Sequence, residues 1–221
     1  MSRADASGVR VKICGLNTEA AFDAAVDAGA DWVGFVFFPP SPRFVTPARA
    51  AALSARAPGG PRRVGLFVAP TEAAIAEVLA EVQLDVVQVH GAVDLPALRA
   101  RFARPVWHQV GVSIASDLPR DMGGADALLL DAKAPKDATR PGGNATPFDW
   151  GLLRGWTAPG PWLLAGGLTV ANVAEAVAAT QASAVDVSSG VESAPGVKDP
   201  ALIHAFVERV KSVNATPFAP S

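Results

Sequence analysis

The sequence predicts a single-domain α/β protein, a (β/α)8 TIM barrel, on three observations. Short β-branched runs alternate with Ala-rich helical stretches, the pattern of repeated βα units on a parallel sheet. There are eight such runs, at about 25–30 residues per unit, which favours closure into a barrel. The first strand ends in CGLN and lacks the early GxGxxG of an open doubly wound sheet, the alternative fold. At 221 residues the chain is near the short end for this barrel.

The elements follow in order. Strand 1 spans Val9–Cys14 and leads to an Ala-rich helix over Thr18–Ala28. Strand 2, Trp32–Phe38, runs into Pro39-Pro40-Ser41-Pro42-Arg43, where prolines stiffen the chain before a helix over Pro47–Arg56. Strand 3 covers Arg63–Val68. The next helix, Thr71–Val82, places Ile75, Val78, Leu79 and Val82 at helical spacing. Strand 4 (Val86–His90), a helix over Leu95–Phe102 and strand 5 (Val106–Val110) come next. Segment 114–126 has the weakest pattern, and an irregular crossover rather than a helix is expected there. Strand 6 is Leu128–Asp131, strand 7 Trp162–Ala165, then a helix over Val170–Ala179 and strand 8, Val185–Ser188. The last helix, Pro200–Val213, opens with Asp199 as N-cap and proline at its first position. The barrel thus occupies 9–213, with loose tails at 1–8 and 214–221.

Composition narrows the function. Nineteen Lys+Arg against 21 Asp+Glu give a net charge of −2. With a pI near 5.9, no nucleic-acid or membrane-surface partner is expected. The single cysteine forbids an internal disulfide and fits a reducing compartment. The opening MSRADASG carries no apolar run for a secretory signal, and no stretch approaches the roughly 20 apolar residues of a membrane span. A cytoplasmic monomer is expected. The three histidines are scattered, without carboxylates at metal spacing, so no metal site is expected.

Barrel chemistry sits at the C-terminal ends of strands, and side chains alternate between the interior and the helix layer. Val11, Ile13, Val87, Val89, Leu128, Leu130, Val185 and Val187 then face the helices. Lys12, Cys14, Gln88, His90, Asp131, Asp186 and Ser188 face the axis or mouth. So many polar groups are costly in an apolar core unless paired or wet, so a binding mouth explains them better. Two glycine-bearing loops, Ala165-Gly166-Gly167-Leu168 and Ser188-Ser189-Gly190-Val191, follow the last strands, the frequent phosphate site of these barrels. Arg43, on its stiff loop, suits recognition of a carboxylate or phosphate. Lys12 and Asp186 lie on strands that become neighbours on closure, so a buried ion pair is expected.

The segments VKICGLN, GFVFFPPSPRFV, VGLFV, VVQVHG, LLLDAK, LAGGLTVANVAEAV and VDVSSGVESAPGVKD resemble the phosphoribosylanthranilate isomerase family, in order, from about Val9 to Val210. The resemblance implies a TIM barrel without cofactor or metal. It implies an Amadori rearrangement of N-(5-phosphoribosyl)anthranilate to the 1-deoxyribulose 5-phosphate product, in tryptophan biosynthesis. It implies Cys14 as general base, Asp131 as general acid and Arg43 as holder of the anthranilate carboxylate. Phosphate would lie on Gly166, Gly167, Ser188, Ser189 and Gly190. One segment departs from the family pattern: GGNATPFDW stands where a lysine-bearing GG[ST]GKTFDW-like loop is usual, at 142–150.

Plainer readings stand beside these. Cys14 could be a small buried hydrophobe, Asp131 a loop cap and Arg43 a surface arginine. His90 either lines the site as a substrate contact or is a hydrogen-bonded barrel histidine. The competing functions are another phosphosugar barrel enzyme, such as the histidine-pathway aminoaldose isomerase, a family that uses two aspartates and lacks the strand-1 cysteine so that Cys14 argues against it, and a barrel that binds a phosphorylated ligand without turnover.

Overall fold

The computed structural model describes residues 8–133 and 148–213. Eight parallel strands close in chain order: β1 (Arg10–Cys14), β2 (Trp32–Val36), β3 (Arg62–Val68), β4 (Val86–His90), β5 (Val106–Val112), β6 (Ala127–Ala132), β7 (Trp162–Leu164) and β8 (Ala184–Val187). The barrel shuts where β8 returns to β1, with Lys12 in register with Asp186. Around it lie α1 (Glu19–Asp27), α2 (Pro47–Ser54), α3 (Glu72–Glu81), α4 (Leu95–Phe102), α5 (Val173–Thr180) and α6 (Pro200–Lys211). No described helix is long and apolar enough to cross a membrane.

Local chemistry sets the helix starts. Thr18, Thr46, Thr71, Asp94 and Asp199 each accept a first-turn backbone N–H through the side chain. Such caps are worth about 1 kcal/mol each. The strand alternation holds. Val11, Ile13, Val87, Val89, Leu128, Leu130, Val185 and Val187 belong to the core between barrel and helices. Inside the barrel a second cluster of Trp32, Val64, Val86, Trp107, Ala127, Leu129, Leu163 and Ala184 fills the space. Trp32 and Trp107 meet there edge to face at 5.2 Å. This apolar plug supports a polar mouth at the other end of the strands.

Segment 114–126 holds one 3₁₀ turn, Ala115–Asp117, and no α-helix. The Asp117 carboxylate accepts the N–H groups of Ser113 (2.9 Å) and Ile114 (3.2 Å), which closes the turn and stops helix propagation. Between β6 and β7 the described part contains another 3₁₀ turn, Trp150–Leu153. The departing loop at 142–147 lies outside the described residues, as do 1–7 and 214–221.

Several expected bounds need correction in detail, strand 2 among them, which ends at Val36 and not at Phe38. The helix expected from Val170 begins only at Val173. Asn172 folds back instead: its Oδ1 accepts from Thr169 N at 2.8 Å and its Nδ2 donates to the Gly167 carbonyl at 3.0 Å. Strand 8 ends at Val187, so Ser188 opens the following loop. Past β8 the chain also forms a hairpin that the sequence pattern did not show, β9 (Glu192–Ala194) with β10 (Val197–Lys198).

Candidate active site

The C-terminal strand ends surround an open cleft of about 750 Å³, its solvent-filled mouth included. Cys14 reaches it from β1, Arg43 from the loop after β2, His90 from β4 and Asp131 from β6. Gly166, Gly167, Ser188 and Ser189, from the loops after β7 and β8, line the stretch between Asp131 and Cys14. Residues drawn from the whole length of the chain therefore share one wall. Gly190 stands behind it. A Cβ at Gly190 would collide with the carbonyl of Leu168, so its glycine lets the loops after β7 and β8 touch.

Asp131 is set apart electrically. Burial, reinforced by the nearby Asp186 carboxylate, pushes its pKa from 3.8 up to about 7. Near neutral pH a large share of it therefore keeps its proton. Gly166 is part of the reason for this enclosure: a Cβ there would lie 2.6 Å from Asp131 Oδ1.

Cys14 is buried, and that burial pushes its thiol up, against the downward pull of Lys12 and Lys198. Lys12 lies at its side. Its Nζ donates to Asp186 Oδ1 at 2.8 Å, and its side chain is wholly buried while that of Asp186 is 11% exposed. Burial lowers the Lys12 pKa, but Asp186 and Cys14 outweigh it, and the net shift is upward, so the ammonium stays charged. Lys12→Met leaves Asp186 unpaired and should cost about 3–5 kcal/mol. That is a fall of roughly 10 °C in Tm for a chain of this size. Adding Asp186→Leu should recover most of it. Equal melting of wild type and Lys12→Met would show that the pair contributes nothing.

His90 is buried on the cavity wall, and burial together with the Lys12 charge lowers its pKa to about 3. The ring is therefore neutral. Its Nε2 lies 3.0 Å from Gln88 Nε2. The two side chains share a hydrogen bond within the wall. Among the described residues His90 Nδ1 has no partner, nor has Gln88 Oε1.

Arg43 is not a freely extended side chain. Its Nε and Nη2 donate to the two oxygens of Glu192 at 2.6 and 2.8 Å. Its stem lies on Gly15, where a Cβ would approach Arg43 Cδ to 2.6 Å. Lys198, in turn, donates to Glu192 Oε1 at 2.6 Å and to the Ser188 carbonyl at 2.8 Å. Sequence reasoning missed Glu192 and Lys198. They sit in VESAPGVKD, where charged residues between glycine and proline look like a solvated loop.

Fold and cavity together are those of a (β/α)8-barrel protein with a small-molecule site at its strand ends. The model of one family, N-(5'phosphoribosyl)anthranilate (PRA) isomerase, matches residues 11–209. A protein of Acidiphilium cryptum named N-(5'-phosphoribosyl)anthranilate isomerase is 59% identical over 201 residues, covering 90% of this chain and 96% of its own length. The crystal structure of phosphoribosyl anthranilate isomerase from Thermotoga maritima superposes with a TM-score of 0.80 at 38% identity. It covers 93% of this chain and 100% of that one. Another phosphoribosyl anthranilate isomerase structure, in complex with reduced 1-(o-carboxyphenylamino)-1-deoxyribulose 5-phosphate, matches at a TM-score of 0.75 and 36% identity. Coverage is again 93% and 100%. The chain belongs to the N-(5'-phosphoribosyl)anthranilate isomerase family.

Proposed function

We propose that Asp131 and Cys14 are the acid and base of this enzyme, with Arg43 and the two glycine loops as its anion subsites. The reaction is the isomerisation of N-(5'-phosphoribosyl)anthranilate in tryptophan biosynthesis. The observation that carries the assignment is the pairing, in one cavity, of a carboxyl held near neutral pKa with the chain's single thiol.

Each step then has an owner. Asp131 gives its proton to the ring oxygen as the C–O bond breaks, and the amine lone pair completes a Schiff base. The Cys14 thiolate takes the proton from C2, and the electrons of that C–H bond run to the iminium nitrogen, giving an enolamine. Protonation of C1, with loss of the C2 hydroxyl proton as its oxygen becomes the carbonyl, yields the ketose. The iminium charge and Lys12 both favour the thiolate that burial disfavours. His90, neutral and on the same cavity wall, is the side chain we assign to a substrate oxygen. Val36, Phe38, Leu66 and Val68 form an apolar wall fit for the anthranilate ring, with Arg43 at its edge for the carboxylate. Gly166, Gly167, Ser188 and Ser189 take the phosphate, and Gly190 supports them from behind.

Two anion subsites make a separable test. Arg43→Ala should raise KM about 10–100-fold, the loss of one charge-assisted contact. Competitive inhibition by inorganic phosphate should be unchanged. A phosphate constant that rises in step with KM would place Arg43 at the phosphate instead. A cytoplasmic setting and a monomeric state remain our reading. The large apolar side chains exposed among the described residues are Phe44, Ile114 and Val197, few for an obligate dimer face.

A further inference from the structure

The hairpin after β8 meets Arg43 in a buried charge cluster, of which the reaction chemistry leaves Glu192 and Lys198 without a role. Arg43 and Glu192 have side chains only 5% and 4% exposed, and that of Lys198 is fully buried. A chain of contacts runs through them. Glu192 grips Arg43 through both oxygens; Lys198 Nζ joins Glu192 Oε1, the Ser188 carbonyl and, at 3.2 Å, Ser188 Oγ. Ser188 Oγ in turn donates to the Cys14 carbonyl at 3.2 Å. The hairpin is itself fixed. Gly196 N donates to Glu192 Oε2 at 3.2 Å, Asn17 Nδ2 holds the Gly196 carbonyl at 3.0 Å, and Gly196 packs on the Pro42 carbonyl too closely for a Cβ.

Burying three charges is expensive, and well-packed apolar groups of similar volume often give equal or greater stability. The geometry supplies a reason for keeping them. Glu192 takes the side-on edge of the guanidinium, Nε and Nη2. That leaves the end-on fork, Nη1 with the second Nη2 N–H, for another carboxylate. Lys198 ties the same carboxylate to the start of the Ser188 loop.

We infer that Glu192 is a positioning residue: it fixes which edge of Arg43 faces the cavity, and through Lys198 it sets the spacing between the carboxylate and phosphate subsites. This rests on the assignment of Arg43 to the substrate carboxylate. A substrate with an anion at each end then meets two subsites whose separation is built into one hairpin, and little binding energy is lost to ordering them.

The test is a double-mutant cycle on steady-state kinetics with phosphoribosylanthranilate, using wild type, Glu192→Gln, Arg43→Ala and the double variant. Glu192→Gln should raise KM about tenfold or more while kcat stays within about threefold, the signature of lost uniform binding. In the Arg43→Ala background the same change should add nothing. A KM within twofold of wild type for Glu192→Gln, or an equal effect in both backgrounds, overturns the inference. If Arg43→Ala alone leaves KM unaltered, the carboxylate assignment fails, and the inference with it. Should Glu192→Gln fail to fold, Glu192→Asp keeps the charge and withdraws it by one methylene. KM raised several-fold with kcat retained supports positioning, and an unchanged KM overturns it.

Discussion

Replacing Asp131 by asparagine should lower kcat by about 10²–10⁴-fold, the usual contribution of one positioned proton donor. It should also change the pH profile in a particular way. The productive form needs Asp131 protonated and Cys14 ionised. Asp131 titrates at about 7, and the thiol is pushed above its ordinary value. The proton donor is thus the stronger acid of the two, so the productive form is a minority at every pH. Its population climbs as the first proton leaves the pair near 7 and falls as the second leaves. The wild-type kcat/KM profile should therefore show a rising limb near 7. In Asp131→Asn that limb disappears, and the residual rate climbs on into the range of the thiol. A limb contributed by the substrate phosphate would survive the substitution at its own position, about 6, and His90, at about 3, contributes nothing in this range. A limb still near 7 in the variant would remove Asp131 from the role.

The same substitution bears on stability. The native state holds the Asp131 proton between about pH 4 and 7, whereas the unfolded chain has released it. Native protein thus binds more protons in that window, and stability contributed by this group declines as pH rises through it. Asparagine cannot ionise and escapes that decline. Asp131→Asn should therefore gain Tm relative to wild type on going from pH 5 to pH 8. A constant difference in Tm across that range would mean that the carboxyl titrates normally.

Cys14→Ala should likewise reduce kcat by about 10²–10⁴-fold, with KM little changed, because the thiol acts on a C–H bond rather than in binding. That is about 3–5 kcal/mol of transition-state stabilisation. The alternative role, a small buried hydrophobe, predicts a modest loss of Tm and near-normal turnover. Retention of more than a tenth of kcat by a folded Cys14→Ala would sustain that alternative. The neighbourhood is arranged against bulk: a Cβ at Gly34 would sit 3.0 Å from Cys14 Sγ and 3.3 Å from Lys12 Nζ. The close packing of β1 and β2 thus keeps the lysine charge against the thiol, where it opposes the desolvation that would otherwise hold the proton on sulfur.

Much of this was legible in the residues themselves. Strand alternation is a local property, because successive side chains must point to opposite faces. It placed Lys12, Cys14, Gln88, His90, Asp131 and Asp186 inside, and Val11, Leu128 and Val185 outside, without tertiary information. The Thr and Asp caps that start the helices act on N–H groups within three residues of themselves. Even the irregular crossover at 114–126 reflects a local cause, the Asp117 carboxylate on Ser113 and Ile114.

What sequence alone could not decide was where charges end and which partners they find. Arg43 and Glu192 are separated by 149 positions, and nothing in either neighbourhood announces the other. The pKa of Asp131 depends on how deeply closure buries it and on Asp186 from a distant strand. That His90 meets Gln88 through Nε2, with Nδ1 buried and without a partner among the described residues, could not be read from the sequence. Alternation and capping are short-range geometry, written residue by residue. Desolvation and ion pairing arise only when segments far apart in the chain are brought together, so the electrostatics of this mouth belong to the closed barrel.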